Sequence, residues 1–131
     1  MLTHVQVVHI PVSDQDRAKE FYVDRLGLAV VADLPGGPHG RWLQVAPPGA
    51  ASTLAIVPGS GDNQPGSAAV VFETDDIEAD VAALRGRGVD LPEHVEEMWW
   101  ARSVRFTDPD GNHLALQTRT TAQQARTTAQ R

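Results

Sequence analysis

The 131-residue chain has no cysteine. That absence excludes a disulfide framework, a thiolate nucleophile and a zinc–thiolate centre. Aromatic residues are scarce, at 5% of the chain, so the three tryptophans stand out as candidates for specific contacts. Positive charge is in deficit: 11 Lys and Arg face 17 Asp and Glu, a formal net charge of −6. A nucleic-acid-binding surface is normally basic, so the charge argues against that class of partner and none is expected. No stretch of about 20 apolar residues is present, and no membrane span is expected. Met1-Leu2-Thr3-His4 lacks the basic and apolar regions of a secretory signal. The expectation is a cytoplasmic, soluble chain whose length fits one compact domain, able to bury roughly two-thirds of its unfolded surface.

What is present is a doubled pattern. Val7-Val8-His9-Ile10-Pro11-Val12-Ser13-Asp14 is followed by Arg17-Ala18-Lys19-Glu20-Phe21-Tyr22 and then Leu26-Gly27. Near half a chain length later, Ala69-Val70-Val71-Phe72-Glu73-Thr74-Asp75-Asp76 is followed by Ile77 to Arg87 and Gly88, with Asp14 aligning on Asp76. Each copy reads as an apolar strand, a helix and a glycine stop, the signature of internal duplication. Ser13 or Asp14 is expected to cap the first helix, and Thr74 or Asp75 the second. Ala18, Phe21, Tyr22 and Leu26 recur at helical spacing, as do Ile77, Val81 and Leu84. Short strands are expected over 28–33, 41–46 and 52–57, divided by the turns Pro35-Gly36-Gly37-Pro38 and Pro47-Pro48-Gly49. A polar joint follows over 58–66. The tail repeats Arg-Thr-Thr-Ala-Gln at 119–123 and 126–130 without the apolar positions a coiled coil needs, and is read as disordered or frayed.

The doubled start, combined with Asp108-Pro109-Asp110-Gly111-Asn112 and the strand His113-Leu114-Ala115-Leu116, resembles the vicinal oxygen chelate superfamily. Glyoxalase I, extradiol dioxygenases, fosfomycin-resistance enzymes and bleomycin-binding proteins are members. The resemblance covers about Val5 to Gln117. It implies an α+β fold: two tandem βαβββ modules, about 4–58 and 67–117, forming a glyoxalase-like half-barrel around one pocket. These make a single domain over 1–117, with a polar C-terminal tail over 118–131. A homodimer is also implied.

The resemblance further implies where a metal would be held: at Val7, at one of Leu54-Ala55-Ile56, at Ala69 and at Ala115. None of these side chains can donate to a divalent cation, which needs carboxylate, imidazole, thiolate or other oxygen ligands. No metal and no other cofactor is therefore expected. A relocated site made by His9, Glu73 and His113 has acceptable residue types, but the family geometry converges on the vacated positions.

Side chains alternate across a strand, so positions two apart share a face. Val8, Ile10 and Val12 are expected beneath the first helix, with Val5, Val7 and His9 toward the cavity. By the same parity Val70, Phe72, Leu114 and Leu116 are core, while Ala69, Val71, Glu73, His113, Ala115 and Gln117 face the cavity. If Val104 and Phe106 are core, Ser103 and Arg105 look into it. The centre is thus apolar with a few polar groups, a common lining for a ligand site.

His9 and Glu73 are the candidates for proton transfer, His9 because imidazole titrates near neutrality. The plain alternative is a pocket-wall histidine and a solvated strand-end carboxylate. Trp42, Trp99 and Trp100 can stack on a flat ligand or seal an interface. Arg102 or Arg105 can pair with a ligand anion or stack on a ring. His113 and Gln117 are further possible ligand contacts. His4, His39 and His94 read as surface residues, and the Asp108–Asn112 carboxylates as turn-formers.

Three functions compete, and whether the chain is an enzyme stays open. The first is metal-free binding of a small organic molecule, for sequestration or resistance. The second is a cofactor-independent isomerase, epimerase or cyclase using His9 and Glu73. The third is a metal-dependent lyase or dioxygenase. Fold alone does not choose between them.

Overall fold

A computed structural model describes residues 1–37 and 40–120. The turn residues Pro38 and His39, and the tail from 121 onward, lie outside the described residues. The chain is α+β and divides into two compact units. One comprises Met1–Ala68 with Thr107–Asn112; the other holds Ala69–Phe106 and the chain from His113.

In the first unit, β1 (Val7–Val12) leads into α1 (Gln15–Lys19), followed by β2 (Ala29–Gly37), β3 (Gly40–Ala46) and β4 (Thr53–Pro58). The strands form a mixed sheet in the order β1-β4-β3-β2, with β1 parallel to β4 and the rest antiparallel. Asp14 caps α1, accepting from the backbone N–H groups of Asp16 and Arg17. The helix then widens into a π-helical segment over Glu20–Arg25, seen in the Leu26 N–H bond to the Phe21 carbonyl five residues back. Gly27, at φ 83°, ends it, a backbone conformation that glycine adopts without steric cost. Ala18, Phe21 and Tyr22 are buried. The Gln15 side-chain amide donates to the carbonyls of Arg41 (3.1 Å) and Ile56 (2.9 Å), pinning the start of the helix to two neighbouring strands.

Register partners share a sheet face. Ile10, Ile56 and Leu43 therefore lie together, and each is 0% exposed. Val8 departs from expectation. It is on this face, opposite Leu54, yet 43% exposed. Burial along β1 grows from Val8 to Ile10 and Val12, so cover reaches only the later half of this edge strand. The strand expected over 28–33 runs on through Pro35 to Gly37 and pairs Gly37 with Gly40. β2 is an edge strand, where a proline's missing N–H costs no ladder bond.

The loop Asp108–Asn112 belongs to the first unit although the strands flanking it belong to the second. The buried Asp108 carboxylate accepts from the Tyr22 hydroxyl (2.7 Å), the Asn112 side chain (2.8 Å) and the backbone N–H groups of Asp110 and Asn112 (2.9 Å each). Asn112, 0% exposed, also donates to the Pro11 carbonyl (2.9 Å) and accepts from Gly66 N–H (3.1 Å) and Ala68 N–H (3.0 Å). The sequence motif is thus a turn and also a polar knot. Gly66 is required there: at φ +91°, a Cβ would sit 2.8 Å from the Asp110 carbonyl oxygen.

In the second unit, β5 (Ala69–Thr74), α2 (Ile77–Gly86), β6 (Glu96–Glu97), β7 (Arg102–Thr107) and β8 (His113–Thr118) form the second βαβββ module, with sheet order β5-β8-β7-β6. Ile77, Val81 and Leu84 are buried. The cap is Asp76, which accepts from Ala79 N–H, rather than Thr74 or Asp75. Thr74 instead accepts from Asp76 N–H and donates to Asp80, so its hydroxyl braces the cap from outside the helix. Leu114 and Leu116 are buried, and Val70 and Phe72 are less exposed than their neighbours.

Candidate functional site

The face of the first sheet opposite α1 carries Val7 and His9 from β1, Thr53 and Ala55 from β4, and Trp42 and Gln44 from β3. His9 pairs with Ala55, which in turn pairs with Gln44, so the three form one row across the sheet. The His9 and Trp42 rings meet edge to face with centroids 6.0 Å apart. Trp42 Nε1–H donates to Gln44 Oε1 (3.0 Å), Gln44 Nε2 donates to Thr53 Oγ1 (2.8 Å), and Thr53 donates to the Gln6 carbonyl (2.7 Å). Gln44 and Thr53 were not among the expected contacts: alternation along β3 sets Gln44 two residues from Trp42 on the same face, whereas Thr53 reaches Gln44 only through the pairing of β3 with β4.

The second unit holds a cavity of about 180 Å³. Ala69 and Val71 of β5, Arg105 and Phe106 of β7, and His113 and Ala115 of β8 line it. The parallel register sets Ala69 against His113 and Val71 against Ala115, which draws these side chains to one face. Glu73 and Gln117 are the next pair along; neither belongs to the lining. His9 lies in the first unit, whereas Glu73 and His113, both exposed, lie in the second.

Both arginines are engaged. Arg105 pairs with Glu96 (2.9 Å) while bordering the cavity. Arg102 bridges Glu78 and Glu97 and is not among the lining residues. The Arg102 hydrogen bond holds the Glu78 carboxyl below the usual carboxylate range. Trp99 and Trp100 sit between β6 and β7, exposed, with rings edge to face at 5.2 Å. They too lie off the cavity lining. His4 and His94 are exposed.

The residues described at the positions where the family's metal would be held do not fit one. Val7, Ala55, Ala69 and Ala115 offer no donor atom, and among the described residues no three His, Asp or Glu side chains gather as a cation would need. Among the described residues no helix is long and apolar enough to cross a membrane.

Comparison with known proteins agrees with this architecture. The family model described as Glyoxalase/Bleomycin resistance protein/Dioxygenase superfamily matches residues 2–116. The uncharacterized protein YetH of Bacillus subtilis (strain 168) is 36% identical over 119 residues, 88% of this chain and 98% of its own. Among solved structures, TnmS3, an antibiotic binding protein from Streptomyces sp. CB03234, is 44% identical with a TM-score of 0.84, covering 90% of this chain and 97% of that one. A glyoxalase/bleomycin resistance protein from the same organism is 44% identical with a TM-score of 0.76, covering 86% of this chain and 98% of that one.

Proposed function

Because the chain belongs to the glyoxalase/bleomycin resistance protein/dioxygenase superfamily, we propose that it binds a small organic molecule without a metal, as a sequestration or resistance protein does. The observation that carries this reading is the cavity of the second unit: hydrocarbon from Ala69, Val71, Phe106 and Ala115, with Arg105 and His113 as its polar contacts. Ligand sites are built this way, apolar with a few placed polar groups. At about 180 Å³ the cavity is smaller than the roughly 300–1,000 Å³ that encloses a drug-sized molecule. It therefore receives one ring or chain end of its ligand. The likeness to TnmS3 makes antibiotics the first class to test. The hydrocarbon side chains at Val7, Ala55, Ala69 and Ala115 support binding with no ion.

Pairing with a second copy is part of the same reading. The exposed apolar side chains of Val8, Val30 and Val31 support it, since two-fold dimers are the commonest assembly. Light scattering behind size exclusion should give twice the chain mass.

The test is a thermal-shift screen of antibiotics and aromatic compounds, run on chelator-treated protein and again with added divalent metals. A ligand at a hundred times its Kd adds about 2.7 kcal/mol, worth roughly 4 °C per kcal/mol for a chain this size. Hits should be equal in both arms and lost in Ala115→Trp, which fills the cavity. Stabilisation confined to the metal arm would overturn the reading. Product formation abolished by His9→Ala would replace it with the isomerase, epimerase or cyclase alternative.

A further inference from the structure

We propose that Gln44 determines which ligands the first unit's sheet face accepts: its amide is locked so that an open Nε2–H is offered to a ligand carbonyl or carboxylate, with Trp42 as the positioning residue. The inference rests on the reading of the chain as a small-molecule binder and names the ligand chemistry that one face would select.

The orientation follows from the two ends of the hydrogen-bonded chain. An indole N–H only donates, so the atom 3.0 Å from Trp42 Nε1 must be the Gln44 oxygen. A backbone carbonyl only accepts, so the single Thr53 proton goes to Gln6 O at 2.7 Å. Thr53 Oγ1 can then only accept from Gln44, at 2.8 Å. Flipping the amide would set donor against donor at Trp42 and acceptor against acceptor at Thr53, losing both bonds. Gln44 therefore has one state, and Thr53, only 8% exposed, shields the far end of the chain from competing water. Among the described residues no acceptor meets the second Nε2 proton of Gln44. That proton is left on a half-buried side chain whose row neighbour, Ala55, contributes only a methyl group. Beside it the Trp42 and His9 rings supply apolar surface for a planar group. A ligand that lays a ring on Trp42 and points a C=O at Gln44 satisfies the open donor. One that brings only hydrocarbon buries that donor without a partner.

The experiment titrates ¹⁵N-labelled full-length protein with 1-indanone and with indane, which share a ring frame and differ in the carbonyl. The Trp42 indole and Gln44 side-chain amide resonances are followed. Indanone should shift both and bind roughly threefold to tenfold more tightly than indane, the span one net hydrogen bond supplies. In Trp42→Phe, which keeps a ring but removes the indole donor, only the Thr53 bond still orients the Gln44 amide, and the indanone-to-indane ratio should fall. Gln44→Ala should do the same; a merely structural role would weaken both compounds in proportion. Equal binding of the two compounds to the unmutated protein overturns the donor assignment while leaving small-molecule binding intact. Failure of both to move Trp42 overturns it for this face. In that case the thermal-shift hits, which depend on the second unit's cavity, still decide the broader reading independently.

Discussion

Replacing Tyr22 with phenylalanine removes one oxygen from the polar knot that ties Asp108–Asn112 into the first unit. The ring stays, with its edge-to-face contact on Phe21 at 5.2 Å between centroids, so packing is preserved and the hydrogen bond is isolated. Its acceptor is the Asp108 carboxylate, 4% exposed, and bonds to charged groups contribute about 1.5–3 kcal/mol. Three other donors still hold that carboxylate, so no charge is orphaned and the loss falls at the low end, about 1.5–2 kcal/mol. Asn112→Ala is a harsher change. It strips partners from the Pro11 carbonyl and from the N–H groups of Gly66 and Ala68, at about 3–5 kcal/mol. Urea unfolding reads both, through a lower midpoint at unchanged slope. A second readout comes from pH. Burial, and then the Asp108 charge, push the Tyr22 phenol well above its ordinary range. The folded state thus keeps a proton that the unfolded chain releases from about pH 10. This stabilisation is fully present below that pH and lost as pH rises beyond it. The Tyr22→Phe deficit should therefore shrink above pH 10. A Tyr22→Phe stability within 0.5 kcal/mol of the parent at pH 7, or a deficit that grows in alkali, would refute the knot as a stabilising device.

Gly66→Ala should cost about 1–3 kcal/mol by the same assay, from its positive φ and from the approach of a Cβ to the Asp110 carbonyl; an unchanged midpoint would mean the loop relaxes freely. Hydrogen bonds from Arg41 and then Lys19 hold the Asp33 carboxyl well below the usual range. Its contribution is present above the unfolded carboxylate value near pH 4 and is lost as pH falls through the folded one. Asp33→Asn should consequently flatten the acid limb of the stability curve below pH 4, and an unaltered limb would count against the cluster. Arg105→Ala, which removes a polar group bordering the second unit's cavity, should weaken anionic hits of the thermal-shift screen more than neutral ones; equal weakening would assign Arg105 a packing role only.

How much of this was legible in the sequence varies with the range of the interaction. Alternation placed Leu114 and Leu116 in the core, because a strand's period is set by the backbone alone. The cap at Asp14 was readable for a similar local reason. The alignment of Asp14 on Asp76 already pointed to the second cap, but the nearer Thr74 and Asp75 are equally good capping types and obscured it. For Val8, alternation gives the face but not how far a helix covers it. The π-helical segment over Glu20–Arg25 carries no glycine or proline to announce it. Pro35 and Gly36 read as a turn, and only their edge position admits them to a strand. Gln44 lies two residues from Trp42 on one strand, so alternation alone sets the two side by side. Its bond to Thr53 needs the pairing of β3 with β4, and the Thr53 bond to Gln6 and the tether between Arg102 and Glu78 join segments far apart in sequence. The candidate site was therefore visible as a list of faces and invisible as a hydrogen-bonded arrangement.

Native mass spectrometry on chelator-dialysed protein, with the strongest antibiotic from the thermal-shift screen, tests most directly whether a ligand is held with no ion. The expected mass is one compound per protomer and nothing further. A complex that forms only once a divalent metal is restored, and that carries the metal's mass, would contradict it.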